Sequence, residues 1–261
     1  MRAAQKPKFS PTRINTYLEC AVKYKYVYID KIGRFYQKPR AGYSLGTSLH
    51  KVLADFYGDG ARQSPEELKA SLVKNWVSAG YESSDQESES LEAGSEMMLT
   101  YHTAESKHKE NRLETVGLEK TFNYDMGRFI LTGRIDRLDR LLDGSMEIVD
   151  YKSGRLDVTE DEVYNDLAMC CYQLLIARLY PDVPVKSTIY CLRTGNFASA
   201  TLPESDLLIF EQRVRAICTE ILDRDLTKAT QDCMDICDTC DFLSICTRIW
   251  AKQAKQSENN V

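Results

Sequence analysis

Gly133-Arg134-Ile135-Asp136-Arg137-Leu138, a turn through Asp143-Gly144, and Glu147-Ile148-Val149-Asp150-Tyr151-Lys152-Ser153-Gly154 form the stretch that decides the fold. The alternation predicts antiparallel strands over Arg128–Leu138 and Met146–Lys152, with a third over Val116–Tyr124 set off by Asp125-Met126-Gly127. Strand side chains alternate, so Asp150 and Lys152 share one side of the sheet while Val149 and Tyr151 take the other. Hairpin pairing brings Asp136 alongside Asp150. Two carboxylates held together repel unless something positive lies between them, and oxygen ligands of this kind suit Mg²⁺ or Mn²⁺. An isolated D-x-K is common by chance, and Asp136 between Arg134 and Arg137 also fits a surface ion pair.

Outward from this stretch the chain reads as helices. Ser10-Pro11 is an N-cap followed by a first-turn proline, opening a helix to about Tyr28. A second helix covers about Leu45–Tyr57, and Ser64 with Glu67 forms the capping-box pattern of a third. Tyr81–Glu96 holds six acids and no base, which reads as an exposed linker or helix edge, and a further helix spans Leu91–Lys109. Beyond the strands come a helix over Glu160–Tyr180, a fourth strand over Ser187–Arg193, a helix over Ser205–Leu222 and a polar end, Lys252–Val261, expected to fray. Helices first, then a small sheet flanked by helices, indicate an α/β core with a helical insertion.

Composition bounds the function. At 261 residues with 43% hydrophobic and 28% charged side chains, the chain is globular rather than disordered throughout. No apolar run reaches the roughly 18 residues of a membrane span, and the basic start has no apolar segment behind it, so neither a membrane protein nor a secreted one is expected. The nine cysteines are then expected in a reducing, cytoplasmic setting, where clustered thiols suggest a metal rather than disulfides. Residues 1–40 hold ten basic residues and two acids, interleaved with tyrosines. Such a surface suits single-stranded nucleic acid, Arg13 and Lys23 for phosphates and Tyr17 and Tyr24 for bases; a solvated basic helix with its tyrosines in the core is the plainer reading.

Cys237-x2-Cys240-x5-Cys246, with Cys233 just ahead, brings thiols close enough for zinc or an iron–sulfur cluster, and local spacing alone favours zinc on all four. Cys170, Cys171, Cys191 and Cys218 fall in apolar runs and read as core. Of three histidines, His50 shares a helix face with Gly46 and Leu53, whereas His102 and His108 read as surface. Glu119 is a possible extra acid for a metal, with a solvent-facing strand position preferred.

Together these motifs resemble the PD-(D/E)xK nuclease superfamily, in the branch similar to the RecB and AddB nuclease domains and to CRISPR-associated spacer-processing exonucleases. Gly46-Thr47-Ser48-Leu49-His50 fits that branch's G-x-x-x-H motif, Gly133–Asp136 its G-x-x-D motif and Asp150–Lys152 its D-x-K motif. Tyr172-Gln173-Leu174 fits its glutamine helix, with Ala177 where the family often has tyrosine. The resemblance implies a restriction-endonuclease-like core and a metal bound by His50, Asp136, Asp150 and the Tyr151 carbonyl. It also implies Lys152 as catalytic lysine, with Asp136, Asp150 and Gln173 completing the catalytic set. The metal would activate water for phosphodiester hydrolysis. The family's iron–sulfur members join one cysteine of the first helix to a C-x2-C-x5-C trio. That implies a [4Fe–4S] cluster on Cys20, Cys237, Cys240 and Cys246, clamping the N- and C-terminal regions, with zinc as the alternative.

The resulting expectation is a single nuclease domain over 1–261. It comprises N-terminal helices 10–60, a helical insertion 61–112, a catalytic core 113–229, a cysteine cluster 230–250 and a tail 251–261. The expected activity is metal-dependent, single-strand DNA exonuclease action in repair or CRISPR adaptation. The alternatives are a nuclease-like module that grips DNA or a helicase without cutting, and a zinc-stabilised interaction domain. No G-x-x-x-x-G-K-[ST] motif occurs, so unwinding would need a separate helicase or recombination and integration partner.

Overall fold

In the computed structural model, which describes residues 5–108, 111–229 and 235–249, one mixed sheet organises the larger of two compact units. Its strands are β1 (Lys8–Phe9), β2 (Arg112–Asp125), β3 (Ile130–Leu141), β4 (Met146–Lys152), β5 (Val185–Cys191) and β6 (Phe197–Ala200). β2 runs antiparallel along one edge of β3. The other edge of β3 pairs with β1 at its start and with β4 at its end. β4 and β5 are parallel, which requires a crossover, and α7 (Glu160–Asn165) with α8 (Leu167–Leu179) supply it. β6 closes the sheet antiparallel to β5. The mixed α/β architecture, a small sheet flanked by helices, is the one the sequence predicts.

The three predicted central strands occur, β2 longer at both ends and β3 beginning two residues later and ending three residues further than predicted. β1 and β6 are additions to that expectation, because two and four residues are too short to show a period. The expected Glu160–Tyr180 helix is broken at Asp166, which is extended and accepts hydrogen bonds from Ala168 N and Met169 N at 2.9 and 3.0 Å. An N-cap inside a helical pattern ends one helix and starts the next.

On one side of the sheet lie α4 (Ala41–Gly58), α5 (Pro65–Lys74) and α6 (Ser84–His108). Leu45, Leu49, Val52, Leu53 and Phe56 of α4 are buried against Leu68 and Leu72 of α5, Met97, Met98 and Tyr101 of α6, and Val149 and Tyr151 of β4. The helix begins earlier than its apolar stripe because Arg40 is extended and serves as N-cap, so the first turn tolerates Gly42. The predicted Ser64–Glu67 capping box is present. Tyr81–Glu96 is largely the first half of α6, its acids suiting the positive end of the helix dipole. On the other side, Ile176 of α8 is buried with Ile135, Leu138, Met146 and Ile148. None of the described helices is long and apolar enough to cross a membrane.

The second unit comprises Thr12–Lys38 and Thr219–Val261. The expected helix to Tyr28 is interrupted: α1 (Pro11–Glu19) stops at Cys20, and α2 (Ala21–Tyr24) runs into a wider turn over Lys25–Ile29, followed by α3 (Gly33–Tyr36). Cys20 is extended, and its Sγ accepts a hydrogen bond from Lys23 N at 3.0 Å, so the thiol itself caps α2. No glycine or proline marks the break. Val22, Tyr26 and Phe242 form one apolar cluster of this unit, and Ile14, Tyr17 and Tyr24 are also buried. α9 (Glu204–Asp223) follows the sheet, and residues 243–249 are helical.

Candidate active site

The β3–β4 register sets the first two acids. Arg137 pairs with Val149, which puts Asp136 opposite Asp150. There Asp136 Oδ2 accepts a hydrogen bond from Tyr151 N at 2.9 Å. Asp150 is 6% exposed. Its Oδ2 lies 2.6 Å from Lys152 Nζ, in a charge contact whose angle leaves that buried oxygen without an aligned hydrogen bond. Burial pushes the Asp150 carboxyl up to about 6, with Lys152 pulling it down and Asp136 pushing it further up. Lys152 is held above the ordinary lysine range: burial opposes its charge, but Asp150 and Asp136 outweigh the burial.

His50 reaches the same place from α4. Its Nδ1 lies 3.2 Å from Glu119 Oε1 and 3.4 Å from Asp136 Oδ1, and its Nε2 donates to the Tyr151 carbonyl at 3.1 Å. Burial works against charging the ring, yet Asp136 and Glu119 raise its pKa to about 10. The imidazolium therefore serves as the cation of an otherwise acidic corner. Close helix approach is needed here: a Cβ on Gly46 would meet Ser153 Oγ at 3.3 Å. Gly133 is stricter still, since a Cβ there would meet Tyr172 and Leu175 of α8 at 2.8 Å.

Glu119 corrects the solvent-facing reading. It sits within β2 at φ +46°, a backbone region costly for a residue with a Cβ. Its carboxylate reaches His50 Nδ1 and also Arg134 Nη2, at 2.6 Å. Nothing in the alternation signals this; a strand irregularity turns the side chain in. The ligand atoms of His50, Glu119 and Asp136 lie within 4.8 Å of one another. One imidazole nitrogen and two carboxylates, with the Tyr151 carbonyl against the ring and Asp150 paired with Lys152 nearby, fit a small divalent cation. The cleft above them, about 1110 Å³, is larger than pockets for drug-sized ligands and lies open to a polymer.

The family model for the PD-(D/E)XK nuclease superfamily matches residues 8–247. The chain belongs to that superfamily. Its members are metal-dependent nucleases that act on DNA. An ATP-dependent helicase/deoxyribonuclease subunit of Streptococcus pyogenes serotype M3 is 33% identical over 113 residues, 42% of this chain and 10% of that protein. The serotype M49 protein of the same description matches to the same extent. The match thus spans about a tenth of the length of these curated relatives. Among solved structures, the crystal structure of SSO0001 covers 77% of this chain and 84% of its own, with TM-score 0.31 and 13% identity. Protein VC1899 from Vibrio cholerae covers 82% and 55%, with TM-score 0.27 and 10% identity.

Other residues singled out in the nuclease sequence lie elsewhere. Gln173 is 1% exposed; its Nε2 donates to Ser187 Oγ at 2.7 Å and its Oε1 accepts from Leu202 N at 3.0 Å, so both ends of the amide are committed to the scaffold. The α8 side chain beside the acids is Tyr172, its hydroxyl pKa raised by burial and then by Asp150 and Asp136. Arg137 is no surface partner of Asp136. It is buried behind β4, 4.1 Å over the Tyr57 ring, donating to Tyr101 and Tyr151 hydroxyls at 2.7 and 2.8 Å.

In the second unit Tyr17 and Tyr24 are buried and present no open ring to a base. Tyr17 donates to Glu220 at 2.6 Å, Arg13 donates to the Tyr24 hydroxyl at 2.8 Å, and Lys23 pairs with Glu19 at 3.0 Å. The plainer reading, tyrosines in the core, describes these side chains. Cys20, Cys237, Cys240 and Cys246 line one small cavity, and burial raises the Cys246 thiol pKa, with the other three adding to it electrostatically. Cys233 and the 251–261 tail lie outside the described residues. Cys170, Cys171, Cys191 and Cys218 are buried, as expected. His102 is half-buried rather than on the surface, its Nε2 donating to the Gln63 carbonyl at 3.0 Å; the His108 side chain lies outside the described residues.

Proposed function

We propose that the chain, as one nuclease domain over 1–261, is an exonuclease that hydrolyses phosphodiester bonds at single-stranded DNA ends. The observation carrying this reading is the convergence of His50, Asp136, Lys152 and Tyr151 from α4, β3 and β4 into one open cleft, with Asp150 buried behind it against Lys152. His50, Asp136, Asp150 and the Tyr151 carbonyl would hold Mg²⁺ or Mn²⁺, with Glu119 as a further oxygen ligand. A bound divalent ion supplies Lewis acidity toward the scissile phosphate and lowers the pKa of the attacking water. Lys152, kept charged by Asp150, orients that water through Nζ and stabilises negative charge developing on the phosphate, rather than acting as base. The Asp136 bond to Tyr151 N fixes the angle between the two acids. Gln173 acts by positioning α8.

The second unit is proposed to hold a [4Fe–4S] cluster on Cys20, Cys237, Cys240 and Cys246. These four cysteines line one small cavity, which supports a shared metal group, and zinc is the alternative occupant. A helicase or recombination partner is proposed to deliver the strand, by analogy with the helicase/deoxyribonuclease description of the relatives.

The test uses end-labelled single-stranded and duplex DNA with Mn²⁺. Wild type is expected to shorten the single strand progressively from an end. Asp150→Asn and Lys152→Ala are expected to lose about 10²–10⁴-fold in rate. Full activity in both variants would remove the mechanism, and DNA binding without any cleavage by wild type would leave a binding module.

A further inference from the structure

Tyr43 stands out from the other tyrosines of the chain. It is 71% exposed, and among the described residues no ring contact or hydrogen bond holds its side chain. A single exposed aromatic is ordinary, but this one is placed. α4 presents Tyr43, Thr47, His50 and Ala54 at intervals of four, three and four residues, one helix stripe, and all four line the cleft above the acids. Seven residues separate Tyr43 from His50, so the ring stands about 10 Å along the helix from the metal-ligand imidazole, on the same face.

The groups around that stripe suit a nucleotide strand. Lys51 and Arg193 line the same cleft and are exposed. Neither joins a carboxylate among the described residues, in contrast to Arg134, whose guanidinium rests on Glu119. Gly42 beside the ring, and Gly154 on the loop after β4, would each meet nothing within 4 Å if given a Cβ, so both borders of the cleft are open. An exposed aromatic face that shares its cleft with exposed cations, beside the proposed catalytic centre, has the two components of single-strand binding, stacking and charge neutralisation.

We propose that Tyr43 is a stacking platform for an unpaired nucleobase next to the scissile phosphate, and that it selects single strands over duplexes. This rests on reading the cleft as the path of a nuclease substrate. In a duplex both faces of an internal base are already stacked, so the ring gains nothing from it; an unpaired base offers its face at no unstacking cost.

The experiment measures binding of short fluorescent oligonucleotides with divalent metal chelated, so that cleavage plays no part. Tyr43→Ala is expected to bind single strands about 5- to 150-fold more weakly, with duplex binding changed by less than about twofold. Tyr43→Phe is expected to restore the loss, since stacking needs the ring and not the hydroxyl. Replacing one base near the end by an abasic site weakens wild type at a single position and adds nothing further in Tyr43→Ala, the signature of one shared contact. Unchanged single-strand affinity in Tyr43→Ala, or equal loss on duplexes, overturns the proposal. Because the ring is exposed, the variant retains its fold. A wild-type protein that cuts nothing with Mn²⁺ yet shows the Tyr43 dependence sinks the nuclease reading and leaves the stacking site standing.

Discussion

The carboxylate corner and the thiol corner of this molecule both gather residues from distant parts of the sequence, but they are held by different means. The first is built on strand register, with Asp136 bonded to Tyr151 N, and on a helix whose Gly46 approaches Ser153. It also carries its own cations, with the His50 ring and the Lys152 ammonium lying against the acids. The second is built on turns: an extended Cys20, a short turn over Asp235–Thr239 and a helical stretch at 243–249. One of its apolar clusters centres on Val22, Tyr26 and Phe242. A site whose charges are balanced by side chains can stand without its metal, whereas the group proposed on the four thiols would couple its binding energy to the folding of the second unit.

The sharpest contrast should come from matched variants. Asp136→Asn is expected to lose about 10³-fold in cleavage and, because Asp136 helps hold the His50 charge, to shift the melting temperature, while leaving the thiol corner's metal content as in wild type. The proposed cluster predicts that Cys240→Ser loses iron, the visible absorption and much of the resistance to proteolysis. Iron content and visible spectra measured beside nuclease rates would break the comparison if Asp136→Asn lost iron or Cys240→Ser kept it. A preparation carrying one zinc per chain and no iron would replace the cluster.

A smaller effect concerns pH in protein freed of divalent metal. The folded-state pKa of His50, about 10, lies above its ordinary value of 6.5. Its charge therefore contributes stability that is fully present below pH 6.5 and is lost as pH rises through 10, on the order of a few kcal/mol. A divalent ion replaces that charge. Melting temperature should fall from pH 6.5 to 10 without Mg²⁺ and be flatter with it, and calorimetry in buffers of different ionisation enthalpy should find about one proton released per ion near pH 8. The Asp150 carboxyl, raised to about 6, adds a second release below that pH, so metal affinity should weaken further in acid. A pH-independent affinity would show that His50 carries no proton in the metal-free corner.

Smaller still, Gln173→Leu strands Ser187 Oγ and Leu202 N without their partner, a cost of about 1–3 kcal/mol. Denaturant titration should register it, while cleavage rate per folded molecule changes by less than about threefold if Gln173 works only through the scaffold. A loss of rate as large as that of Lys152→Ala would bring the amide back into the chemistry.

His50 and Lys152 are singled out through the family resemblance of their motifs, whereas the pairing that sets Asp136 beside Asp150 was legible along the chain because strand period is local and the β3–β4 turn is short enough to imply its own register. The Ser64–Glu67 box was legible for the same reason. Glu119, Tyr43 and the break at Cys20 were not. A left-handed residue inside a strand, a helix starting one turn ahead of its apolar stripe, and a thiol acting as N-cap are each decided by neighbours far away in sequence. Burial, too, belongs to the tertiary structure. Tyr17 and Tyr24 look like stacking faces until packing hides them, and Arg137 looks like a surface partner of Asp136 until Tyr57, Tyr101 and Tyr151 enclose it. Local hydrogen bonding follows from residues a few positions apart, but which side chains remain open to a ligand depends on every element that comes to rest against them.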